Sequence, residues 1–221
     1  MVLTAREIIQ DSLTNFKEEQ AKARREEVRK SLDYYSGSLT EQYIEGYFKS
    51  DAFQEIPHYN TNIVKKFVNR MSSIYTIGAK RNVNDKYIDL TVVKNARMKQ
   101  MERMTRLLGS TATYVMYDEV EQRFDYRPIY YFEPYFGDNP YRPEAIVYPM
   151  MHGHADLSDT NELMYAYWDS ELHLKFNENG DILEEVQHNL GVLPFVFTHR
   201  EEQLDSFFVE GASDLVSANE H

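Results

Sequence analysis

Apolar residues recur at helical spacing in the first half of this chain and at strand spacing in the second, and the two periods meet between Thr91 and Phe132. Val93, Ala96, Met101, Met104 and Leu108 predict a helix that Thr91 can cap. Gly109 follows the last apolar residue and supplies the left-handed conformation that ends a helix. Residues 110–117 are then rich in β-branched and aromatic side chains and predict a strand, closed by Asp118 and Glu119. After Glu121 and Gln122, the residues Phe124, Tyr126, Tyr130 and Phe132 alternate with others along an antiparallel partner strand.

Upstream, Thr4 and Glu7 have the spacing of a capping box, opening a helix with a weak apolar stripe of Ile8, Ile9, Leu13 and Phe16. The segment 17–30 mixes charges of both signs, supports pairs such as Glu18 with Lys22, and reads as a surface or outward-projecting helix. Residues 33–38 break that pattern. Thr40 can cap a short helix through Tyr43, Ile44, Tyr47 and Phe48, and Pro57 and Asn60 mark a loop. Asn60 or Thr61 then caps an amphipathic helix with Ile63, Phe67, Met71 and Ile74 on one face, ended by Gly78. It is the cleanest predicted core helix, and the polar residues 81–85 link it to the next.

Downstream the pattern is that of antiparallel sheet. Residues 145–148 predict a strand, and 162–168 with 171–176 a hairpin turning at Asp169 and Ser170. Asn179-Gly180 is a turn signal before a strand over 182–187. Residues 191–198 predict a strand with Pro194 near its start, where a missing N–H is tolerated. Gly211 to Leu215 looks like a helix start with Ser213 as cap, and the pattern stops soon after at His221, as expected of a fragment. Helices first and antiparallel strands second make the expected class α+β.

Composition adds three constraints. Seventeen Tyr and 12 Phe supply burial enough for a core despite a modest apolar fraction of 42%. No apolar run reaches membrane-spanning length, and the start is not a signal peptide. The absence of cysteine excludes disulfides, thiolate metal sites and thiol nucleophiles, and fits a reducing, intracellular origin. Charge is uneven. Residues 1–110 carry 19 Lys and Arg against 14 Asp and Glu, about +5, whereas residues 111–221 carry 5 against 22, about −17. Such asymmetry suggests different partners for the two halves or head-to-tail self-association; the plainer reading is a solvated acidic surface. The acidic half lacks the clustered cations that tight phosphate binding needs.

Candidate chemistry is sparse. His152 and His154 with Asp156 and Asp159 form the one cluster resembling a metal site, but it follows Pro149 in a loop-like stretch, and no third ligand is fixed by spacing. His188 and His199 flank the last strand as turn or surface residues. Phosphate-binding glycine loops, zinc-protease motifs and serine-nucleophile motifs do not occur. Asp118 and Glu119 fall short of a nuclease centre. Lys94, Arg97, Lys99, Arg103 and Arg106 give the helix before Gly109 a basic outer face. Solvation explains that face; the alternative is contact with an acidic surface of another subunit, or transient contact with nucleic acid. No catalytic, cofactor-binding or metal-binding residue is assigned.

Several blocks, in this order, resemble the portal proteins of tailed double-stranded DNA bacteriophages. They are residues 62–78, an early helix ending in Tyr-x-x-Gly; the helix–Gly109 unit with Ala112 to Glu119, leading to Pro134 and Tyr135; and His188 to Phe197, followed by Glu210 to Leu215. The last pairing, a Gly-x-x-Pro strand and then a Gly-x-Ser-Asp-Leu helix start, is the most specific. Residues 1–60 match only in style.

The resemblance implies a subunit of a homo-oligomeric ring, usually of twelve, at one vertex of the virion capsid and assembled in the host cytoplasm. It implies a conduit for packaging, retention and ejection of double-stranded DNA, with transient DNA in the channel. It implies contacts with the major capsid protein, the terminase large subunit and an adaptor protein of the neck, with no membrane, cofactor or enzymatic activity. It divides the chain into a variable helical lead-in over 1–60, a wing-like α+β region over 61–187, and a strand and helix start over 188–221 leading toward stem and clip. Portals are usually about twice this length, so channel-forming portions are expected after His221. An acidic passage suits a conduit, because one that gripped phosphate would stall the DNA. Two other readings stand beside it: a metal-dependent hydrolase or nuclease around His152 and His154, and a different virion interaction module docked through its charged helix.

Overall fold

A computed structural model of the protein describes residues 4–37, 62–75, 94–118, 120, 123–150, 164–203 and 206–212. Within them lie four helices, α1 (Ala5–Asn15), α2 (Glu19–Ser36), α3 (Ile63–Met71) and α4 (Lys94–Leu108). Eight strands follow: β1 (Ser110–Asp118), β2 (Arg123–Ile129), β3 (Glu133–Phe136), β4 (Pro143–Met150), β5 (Met164–Trp168), β6 (Leu172–Phe176), β7 (Ile182–Gln187) and β8 (Phe195–His199). The fold is α+β, with the helices first. None of the described helices is long and apolar enough to cross a membrane.

The strands form a three-stranded sheet ordered β2-β1-β8 and a five-stranded antiparallel sheet ordered β3-β4-β5-β6-β7. The chain makes two compact units. One comprises Met1–Glu26, Thr111–Phe197 and Leu204–Phe207; the other comprises Glu27–Ser110, Thr198–Gln203 and Phe208–His221. These units interleave along the chain, whereas the sequence reading divides it serially.

In the first unit α1 lies on the five-stranded sheet. The capping box forms as expected: Thr4 Oγ1 accepts from the Glu7 N–H, and the Glu7 carboxylate accepts from the Thr4 N–H at 2.7 Å. The stripe that looked weak is wholly buried. Ile8, Ile9, Leu13 and Phe16 pack on Ala145, Val147, Tyr165, Tyr167, Leu174 and Phe176, which alternate along β4, β5 and β6. Each such side chain contributes about 1.5–3 kcal/mol relative to exposure. Phe16, Tyr165 and Phe176 stack in series, with ring centroids 5.1 and 5.4 Å apart. Strand β7 takes no part in this core, and all six of its residues are exposed.

Three expectations need correction here. The segment over 17–30 lies at the surface, with none of its residues buried, but it does not project: Arg24 and Arg25 lie over the Tyr131 ring, at 4.8 and 5.6 Å from its centroid. Helix α2 also outlasts its charged stretch, burying Asp33 and Tyr34 before Gly37, at φ +78°, ends it. Strand β2 stops at Ile129, so Phe132 lies beyond it, buried against the rings of Phe197 and Phe207.

The largest correction concerns α3, in the second unit. Asn62 is its cap, accepting from the Lys65 N–H at 3.0 Å. The face expected in the core is outside: Ile63, Phe67, Met71 and Ile74 are 43, 49, 48 and 67% exposed. Val64 and Val68, at 1% each, are the buried pair, on a helix that packs with α4. Two apolar stripes run side by side, and the one with smaller side chains, continued by buried Ser72, is turned inward. The helix ends at Met71, before Gly78. Thr91, Gly78, the helix expected after Thr40, the loop at Pro57 and Asn60, the link over 81–85 and the helix start from Ser213 lie outside the described residues.

Candidate functional site

The most constrained place in the second unit is the C-terminal end of α4. Gly109 adopts φ +81° and donates its N–H to Thr105 O at 2.9 Å, stopping the helix. Two later stretches, at Arg200 and at Val209 to Ala212, converge there from about ninety residues or more along the chain. The Arg200 N–H donates to Gly109 O at 2.8 Å, and the Ala212 N–H donates to Leu107 O at 2.8 Å. Arg200 Nη1 reaches Gly211 O at 2.9 Å. Close approach requires glycine at both positions, and conformation requires it at Gly109 as well. A Cβ on Gly109 would fall 1.9 Å from Val209 O, and one on Gly211 would fall 2.5 Å from Leu107 O.

Ser110 and His199 form the polar centre of this clasp. Ser110 Oγ accepts the Val209 N–H at 2.8 Å and lies 3.0 Å from His199 Nδ1. The hydroxyl keeps a proton and a second lone pair, so it can pair with Nδ1 in either tautomer of the ring. Burial pushes the His199 pKa below its ordinary value. Thr105 and Thr198 hydroxyls pair at 2.8 Å one residue pair away. A serine beside a histidine invites a nucleophilic reading, but Ser110 is 5% exposed and its oxygen is occupied by a backbone amide. The pair holds the chain together.

An adjoining cavity of about 220 Å³ is lined by Tyr75, Met101, Glu102, Arg106, His199 and Arg200, among others. The Glu102 carboxylate accepts from the Ile74 and Tyr75 N–H groups at 3.1 and 3.4 Å, binding the chain that leaves α3 to α4. The cavity is smaller than usual ligand pockets.

The residues singled out from the sequence are scattered. His152, His154, Asp156, Asp159 and Glu119 lie outside the described residues, and so do the side chain of Asp118 and that of Lys94. Among the described residues no group of three or more His, Asp or Glu could hold a metal. His188 sits against Trp168, ring centroids 5.2 Å apart, and is half-buried. His199 is not a surface residue but part of the clasp. The basic side chains of α4 do not share one outer face: Lys99, Arg103 and Arg106 follow at helical spacing, and Arg97 is elsewhere. Arg97 is exposed and donates to Gln100, whereas Arg103 is half-buried, its Nε without a hydrogen-bond partner among the described residues.

No family model matches the chain, and no curated protein matches it. The sequence reading passed over Ser110, Glu102 and Arg200. Arg200 carried one usable signal, being among only five basic residues in 111–221. The other two act through backbone groups that no side-chain motif announces.

Proposed function

We propose that the chain is a subunit of a portal ring at one capsid vertex of a tailed double-stranded DNA phage. In this reading it forms part of the conduit for DNA packaging, retention and ejection, has no enzymatic activity, and meets the capsid, the terminase and the neck. The observation that supports it is the clasp. Two of the blocks that carry the portal resemblance, the Gly109 unit and Glu210 to Leu215, about a hundred residues apart, meet in one hydrogen-bonded crossing at Leu107, Gly109, Gly211 and Ala212, which Arg200, outside the blocks, completes. That crossing joins backbone to backbone and suits a part that bears load. The metal-dependent hydrolase reading rests on His152 and His154 and draws no support from the described residues.

Electron microscopy of the purified protein tests the proposal. Rings of about twelve subunits with a central hole are the expected result. A species that stays monomeric at all accessible concentrations, with or without capsid protein, would overturn it. Metal content measured on the same sample separates the hydrolase reading, which requires a bound ion.

A further inference from the structure

Asn179-Gly180 is the only Asn-Gly pair in the chain, and it lies at the tip of the β6–β7 hairpin. This dipeptide carries a reaction of its own. The backbone nitrogen of Gly180 can attack the side-chain Cγ of Asn179; it loses its proton to solvent, and the side-chain amino group takes up a proton and leaves as ammonia. The five-membered succinimide so formed adds water at either carbonyl and opens to aspartate or to isoaspartate. Glycine is the most permissive successor, because no side chain hinders ring closure. Asn179 is exposed, so water and hydroxide reach it.

The turn works against this reaction. Gly180, at φ +87°, donates its N–H to Asn177 O at 3.0 Å. Asn177 Oδ1 accepts from the N–H groups of Asn179 at 3.0 Å and Asp181 at 2.9 Å, and Asn177 Nδ2 donates to Asp181 Oδ2 at 3.0 Å. Helix α1 lies against the same turn: a Cβ on Gly180 would fall 2.6 Å from Gln10 Nε2 and 3.4 Å from Leu13 Cδ1. Ring closure needs the Gly180 nitrogen turned toward the Asn179 side chain, and in the folded turn that N–H is committed to Asn177. We infer that Asn179 is a site of spontaneous deamidation whose rate in the folded chain is set by opening of the turn centred on Asn177. The products bear on β7. Either one places a new negative charge between Glu178 and Asp181. Isoaspartate also lengthens the backbone by a methylene just where the hairpin sets Lys175 opposite Glu184. All six residues of β7 are exposed, so its ladder with β6 is what holds it, and isoaspartate at position 179 loosens that ladder.

Ageing the full chain in mildly alkaline buffer, folded and in urea, beside Asn177→Ala tests this. Mass spectrometry of the peptide holding residues 177–187, after chromatography that separates aspartate from isoaspartate, reads the conversion at Asn179. The unfolded wild type should convert fastest, the folded wild type slowest, and folded Asn177→Ala about fivefold or more faster than folded wild type, since it loses three side-chain hydrogen bonds of the turn. In urea the two chains should convert at the same rate, which shows that the substitution acts through the turn. Circular dichroism checks the fold; should Asn177→Ala not fold, Gln10→Ala, which thins the cover on Gly180 and leaves the turn's own bonds in place, carries the same comparison. In the isoaspartate fraction, the β7 amides that pair with β6 should exchange hydrogen faster than in fresh protein. A folded wild type that converts as fast as the unfolded chain, or no faster conversion in the folded variant, would overturn control by the turn. Conversion of another asparagine ahead of Asn179 in the folded chain would overturn the site, and unchanged exchange in β7 would overturn the loosening.

Discussion

Arg24 donates to the Glu133 carboxylate at 2.6 Å and to the neighbouring Phe132 carbonyl at 3.0 Å, fixing α2 to the start of β3 across more than a hundred residues of sequence. Burial raises the Glu133 pKa, and the Arg24 guanidinium restrains that rise; Tyr131 adds a hydrogen bond at 2.9 Å. The same burial, with Glu133 nearby, pushes the Tyr131 phenol up to about 12.

Arg24→Ala should therefore destabilise the protein by about 1–3 kcal/mol at pH 7, less than for a fully buried pair because both groups keep some solvent contact. A carboxyl whose folded pKa is raised loses stability as pH rises through its unfolded value toward its folded one. Without Arg24 that rise grows, so the deficit should shrink as pH falls toward 5, and Glu133→Gln should rescue part of it. Urea melts of both variants at pH 5 and pH 7 measure this; a pH-independent deficit would count against it.

Gly109→Ala combines strain at φ +81° with a clash against Val209 O, and should cost more than about 2 kcal/mol. Gly191, at φ +68°, faces open space, so Gly191→Ala should cost only the about 1–2 kcal/mol of a left-handed alanine. Thermal melts of the two variants side by side separate strain from crowding.

Ser110→Ala removes the acceptor of the Val209 N–H and the hydroxyl beside His199. A loss of about 1–3 kcal/mol is expected. The Val209 amide should exchange its hydrogen faster with solvent, which mass spectrometry or NMR can follow. Unchanged protection there would mean the clasp does not depend on this hydroxyl.

His173 stacks on Trp168 with centroids 4.0 Å apart and 19° between planes. Burial, aided by Lys175, lowers its pKa to about 4. The unfolded chain thus binds a proton at higher pH than the native one, so stability is complete above pH 6.5 and is lost as pH falls from 6.5 toward 4. The loss should be about 1–2 kcal/mol after discounting for partial exposure. His173→Phe should flatten that part of the pH–stability curve, and NMR titration of the ring should give a midpoint below 5.

The sequence by itself determined whatever depends on neighbours along the chain. The Thr4–Glu7 box, the Gly109 stop, the β5–β6 hairpin and the strand over 182–187 follow from local hydrogen bonding, allowed dihedrals and the two-residue period of a strand. Only tertiary structure decided which apolar stripe of α3 faces inward, because Val64–Val68 and Ile63–Phe67–Met71 have equal helical spacing, and the smaller pair is the one that fits where the helix packs. It decided, too, that two arginines in a charged run belong on the Tyr131 ring, since cation–π and buried-pair energies depend on a partner more than a hundred positions away. The clasp was illegible for the same reason. Gly211, Arg200 and Gly109 act through backbone groups, which every residue carries, and nothing but the path of the chain through space brings those groups together.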